Sequence, residues 1–145
     1  MADPGWQALR DRLAGELATL ADHEFVVVNE KPPPPGPKQG LLRRRPAAPA
    51  VRHVQFLRDE DVVYAECVGA TLFGGPYDIA PADHERLRTL GWRAPGDTSE
   101  TYWGAPNYRI HATPTDAERL ADLAVDSLEV LGLTPTSDLE LRRDR

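Results

Sequence analysis

Seven of the twenty residues from Lys31 to Ala50 are proline, in the run KPPPPGPKQGLLRRRPAAPA, and proline has no backbone N–H to give to a helix or a β-ladder. The stretch is therefore neither helix nor strand interior, and any sheet the chain builds must pair across it. It is predicted to be a solvent-exposed excursion of polyproline II character, residues 31–50, inserted between two strands. Arg43, Arg44 and Arg45 form the basic flank that a proline-rich ligand would carry. A tolerated long loop is the commoner origin of such a run.

Helical periodicity is clearest before it. Asp3 caps a first turn, Pro4 suits the first helical position, and Trp6, Leu9, Leu13, Leu17 and Leu20 recur at steps of three and four on one stripe. The β-branched run EFVVVNE then predicts a strand ending near Glu30. Beyond the excursion, VRHVQFL and VVYAECV predict a hairpin over residues 51–57 and 62–68, turned by Arg58, Asp59, Glu60 and Asp61. Alternation puts Val54 and Phe56 on one face, with His53, Gln55 and Leu57 on the other.

Pro81 opens a short helix through Leu90, and Gly91 supplies the left-handed residue that ends it. Trp92 follows immediately, placed to fold back over the last turn as a packing lid between helix and sheet. ETYWGAPNYRIHA predicts one or two further strand segments. Thr113, Pro114 and Asp116 start a long helix whose buried stripe is Leu120, Leu123, Ala124, Leu128 and Leu131, closed by Gly132 and Pro135. A brief edge strand is expected at Leu139–Leu141, before a charged tail at 142–145. This order, with a hairpin and no repeating βαβ unit, predicts an α+β domain over 1–141: a twisted, mainly antiparallel sheet with an N-terminal helix, a short middle helix and a long C-terminal helix.

Chemistry is harder to find. The single Cys67 excludes an internal disulfide, and His23, His53, His84 and His111 stand apart with no cysteine or carboxylate at ligand spacing. Asp83, His84 and Glu85 are helical neighbours that point in different directions. FGGPYD lacks the Lys-Ser/Thr pair of a phosphate loop, and Ser99, Ser127 and Ser137 sit in no nucleophile elbow. Cys67 in an apolar strand reads as a small core residue. A His/carboxylate site around His111 is the one enzymatic alternative. No catalytic, cofactor or metal residue is assigned.

A net charge of -6 argues against nucleic acid, whose binding needs a basic surface. Charges interrupt the N-terminus where a leader needs an apolar run, and no apolar stretch is long enough to span a membrane. The chain is expected in the cytoplasm, without a membrane partner. FVVV and VVYAECV are apolar on both faces, more than a sheet covered on one side usually carries, which leaves apolar surface for a second subunit or an extended peptide.

Taken together, the hairpin VQF…YAECVG, the LxxLGWxxP segment from Leu87 to Pro95, and SLEVLGL followed by DLEL resemble the TY-Chap family, over about residues 51 to 141. That family is similar to type III secretion chaperones and YbjN-like proteins. The resemblance implies a non-enzymatic chaperone or adaptor that binds a peptide or protein client, linked to secretion or conflict systems, with homodimers among its relatives. An immunity-type or structural subunit is the alternative. Phe56, Tyr64, Trp92, Trp103 and Tyr108 enter as candidate contact or core positions, since aromatic residues serve both uses.

Overall fold

The computed structural model describes residues 4–31, 51–73, 75, 77–97 and 106–145. Among them are three α-helices and a five-stranded antiparallel sheet. Helix α1 (Pro4–Ala18) leads into β1 (Phe25–Glu30), and the hairpin β2 (His53–Asp59) and β3 (Val62–Cys67) comes next. Helix α2 (Pro81–Leu90), β4 (Tyr108–Ala112), α3 (Ala117–Val130) and β5 (Leu139–Asp144) complete the order. The strands lie as β4-β3-β2-β1-β5, every neighbour antiparallel. This is the expected α+β arrangement. The proline-rich residues 32–50 lie outside the described residues.

Register decides which side chains share a face. Val26, Phe56, Ala65 and Ile110 stand opposite one another across β1, β2, β3 and β4, as do Val28, Val54, Cys67 and Tyr108. These two rows join one apolar cluster with Trp6, Leu13 and Leu17 of α1, Leu87 of α2, and Leu120, Leu123, Ala124 and Leu128 of α3. All three helices therefore cover the same face. Ala121 and Ala124 are fully buried, and such small side chains let α1 and α3 approach closely. Arg10 Nε donates to Asp122 Oδ1 at 2.7 Å across that pair of helices.

Several ends differ from the sequence reading. The hairpin turn is only Glu60 and Asp61, with Glu60 at φ 55°, so Arg58 and Asp59 belong to β2. A 3-10 turn, Pro114–Asp116, precedes α3, and Thr113 N–H donates to Asp116 Oδ2 at 2.9 Å. Arg142–Asp144, read as tail, are strand: β5 pairs with β1 from Leu139↔Glu30 to Asp144↔Phe25.

Candidate functional site

The opposite face of the sheet carries no described helix. Its first row is Phe25, Leu57, Tyr64 and His111, in register across β1, β2, β3 and β4. Leu57 is 42% exposed and Tyr64 36%, and these are the exposed large hydrophobic residues among those described. Both fall in this one row. Phe25 beside them is half-buried. The His111 ring meets Tyr64 edge-on, with centroids 4.7 Å apart and planes at 78°, which extends the row to the β4 margin.

The next row is polar and tied together. Arg109 Nη2 lies 2.8 Å from Glu66 Oε1, and Gln55 Nε2 donates to Glu66 Oε2 at 2.8 Å. Val27, opposite Gln55 on one side and Arg142 on the other, is the buried apolar residue of this row. Beyond it Asn29 Nδ2 donates to Glu140 Oε1 at 3.1 Å and to Glu30 O at 2.8 Å. The sheet thus exposes less apolar surface than its sequence suggests: the second set of apolar residues shrinks to Phe25, Leu57 and Tyr64, in a row that His111 completes, beside a hydrogen-bonded polar floor.

At the β4 margin the sheet ends in a cleft. Arg93 N–H donates to Arg109 O and Arg109 N–H to Arg93 O, each at 2.9 Å. This isolated antiparallel bridge places the two arginines directly opposite each other. An open cavity of about 360 Å³ lies here, lined by Leu90, Gly91, Arg93, Arg109, Ile110, His111 and Arg119.

The candidate contacts separate by burial. Tyr64 stands on the helix-free face, and Trp103 lies outside the described residues. Phe56, Trp92 and Tyr108 are 0%, 1% and 0% exposed in the helix-covered core, so in this conformation they pack and do not offer a contact surface. Trp92 is the lid its position suggested: Gly91 has φ 115°, Gly91 N–H bonds Arg88 O at 3.0 Å, and Trp92 N–H bonds Leu87 O at 3.2 Å. Its indole Nε1 donates to Ser127 Oγ at 2.7 Å, so it docks α2 on α3 as well as on the sheet. The Tyr108 hydroxyl bonds His84 Nδ1 at 2.8 Å, and burial pushes its pKa up to about 12. Leu57, Phe25 and His111 are the face residues sequence reasoning did not single out as contacts. The outward phase of β2 already put Leu57 opposite Phe56.

Chemical alternatives find little here. Burial raises the Cys67 thiol to about 12, far from a reactive thiolate. His111 is exposed and lines an open cleft together with Arg93, Arg109 and Arg119. Asp22, His23 and Asp59 come near one another at the surface, all exposed. No helix among the described residues is long and apolar enough to cross a membrane.

No curated protein and no solved structure matches the chain significantly. The family described as "T3SS (YopN, CesT) and YbjN peptide-binding chaperone 3" matches residues 1–145. With the α+β architecture in place and the match spanning its whole length, the chain belongs to this TY-Chap3 family of peptide-binding chaperones.

Proposed function

We propose that the protein is a non-enzymatic chaperone that captures an extended segment of a client on the helix-free face of its sheet, at the row Phe25, Leu57, Tyr64 and His111. The observation that carries this reading is the coincidence of both exposed large hydrophobic residues, Leu57 and Tyr64, in that one row. Extended peptides gain affinity from backbone pairing at sheet margins and selectivity from side chains set at alternate positions. A row of apolar residues bounded by a polar floor fits one stripe of such a peptide.

We extend this reading to clients drawn from secreted proteins and met in the cytoplasm, by analogy with the type III secretion chaperones that the family description names. A second copy of the chain is the competing occupant of the same face.

Replacing Tyr64 by Ala and Leu57 by Ser tests the reading. Capture of short apolar peptides, followed by fluorescence polarisation, is expected to fall about tenfold or more for the double variant, in line with the loss of one or two interface anchors. Its thermal melt should stay near that of the parent chain, because exposed positions contribute little to stability. Undiminished capture by the double variant refutes the assignment of this face. A concentration-dependent dimer that both substitutions dissolve would hand the face to a second copy instead.

A further inference from the structure

The geometry points to a carboxylate-binding cleft at the β4 margin, formed by Arg93, Arg109 and Arg119, that selects clients carrying an acidic residue close to their apolar stripe. It rests on the reading of the adjacent face as the client surface.

Three observations converge on it. The first is the pairing of Arg93 with Arg109 in the isolated bridge. Like charges directly opposite each other across an antiparallel pair destabilise it, so the fold keeps an electrostatic conflict at this point. A conflict between local sequence and global fold is expected where function demands it. The second is the state of the cations. Arg109 is held by Glu66 at 2.8 Å and Arg119 by Asp116 at 3.2 Å, while the exposed Arg93 makes no ion pair among the described residues. The Arg119 side chain is 65% exposed, and a surface pair of that kind holds loosely. The third is space. The cavity of about 360 Å³ has these three arginines and His111 in its lining and no acidic residue among the described residues that line it, and its size is within the usual range of small-ligand sites.

The cleft adjoins the apolar row. His111 lines the cavity and also packs on Tyr64, so one residue belongs to both.

An opposing effect is present. Helix α2 ends at Gly91, in the cleft wall, and a helix C-terminus carries about half a negative charge. Its last carbonyls already accept from the cap, Arg88 O from Gly91 N–H and Leu87 O from Trp92 N–H, and this partial charge is smaller than the full charge of the Arg93 guanidinium, which has no ion pair among the described residues. The net charge of -6 decides the kind of anion. It repels a polyanion such as RNA over the whole surface, whereas a single carboxylate on an apolar peptide meets mainly the local field. Arginine's planar fork also pairs carboxylates in two-point fashion.

The test uses three fluorescein-labelled peptides of Leu, Val and Tyr that differ only in one central residue: Glu, Gln or Lys. The Glu peptide is expected to bind about tenfold tighter than the Gln peptide, the size of one charge-assisted pair. Arg93→Gln should erase most of that preference, and Arg93→Glu should turn it toward the Lys peptide. Tyr64→Ala should weaken all three alike and leave their order unchanged. Equal binding of the Glu and Gln peptides by the parent chain overturns the cleft while the client face survives on the Tyr64→Ala loss. No binding of any peptide removes both. Displacement of the Glu peptide by millimolar inorganic phosphate but not by matched acetate assigns the cleft to phosphate and overturns it as a carboxylate site.

Discussion

Trp92 and Tyr64 show how differently two aromatic side chains serve the same sheet. The Trp92 indole is 1% exposed, with its N–H on Ser127 Oγ at 2.7 Å, and Ser127 in turn donates to Leu123 O at 2.6 Å. Truncating it opens a cavity and removes three elements' shared contact. Trp92→Ala is expected to cost about 3–5 kcal/mol, read from urea unfolding. Ser127→Ala leaves the indole N–H buried without an acceptor and should cost about 1–3 kcal/mol, with a sharp, unchanged unfolding slope. If Ser127→Ala were neutral, the hydrogen bond would not be part of what docks α2 on α3. Tyr64→Ala, by contrast, should stay within about 0.5 kcal/mol of the parent chain. The lid role of Trp92 was legible in Leu-Gly-Trp, because a left-handed glycine sends the next residue back over the helix. Its partner was not: Ser127 is thirty-five positions away, and a lone serine in an apolar stripe carries no mark of what it will face. The same limit applies to Phe56, whose alternation was readable while the choice between core and contact depended on which side the helices took.

At the scale of elements, β5 shows why a strand can read as a tail. Leu139 and Leu141 alternate toward the helices, and the next residue in phase is Arg143, opposite Val26, which looks out of place on an apolar face. Its guanidinium reaches the end of α1, donating to Glu16 Oε2 at 3.1 Å, Glu24 Oε1 at 2.8 Å and Thr19 O at 2.6 Å. The long stem crosses the core margin and the charged head finds partners there. Arg143 holds the Glu24 carboxyl down at about 2, aided by the Ala21 N–H, against an ordinary value of 4.5. The sign follows from that depression. The stabilisation is fully present above the unfolded value near 4.5 and is lost as the pH falls from there toward about 2. Amide hydrogen exchange in β5 is therefore expected to accelerate through this window beyond the intrinsic trend, ahead of exchange in β2 and β3. Arg143→Gln should show raised β5 exchange already at neutral pH and no further acid step. An acid step of equal size in that variant would assign the effect to other carboxylates.

For the molecule as a whole, one consequence follows from having all the described helices on one face: a single core reports on folding, and the opposite face remains available to bind without entering it. That arrangement was only half readable. The order of helices and strands and the hairpin phase lay in periodicity and turn residues, but apolar residues on both sides of β1 and β3 suggested a larger open surface than exists. Val27 is buried beside Gln55 and Arg142, a cross-strand effect that no single strand displays. Cys67 makes the consequence measurable. It is fully buried on the helix side with its thiol raised to about 12, so a thiol reagent should label it only through global opening. Labelling and the loss of Trp92 fluorescence are then expected to share one urea midpoint. A client peptide that binds only the native face must slow labelling by the factor one plus its concentration over its Kd, about a hundredfold at a hundred times Kd. Tyr64→Ala should abolish that protection without moving the midpoint measured in the absence of peptide. Labelling that stays fast while fluorescence remains native would mean that the core opens locally at β3, and client binding on the other face would then leave the rate unchanged.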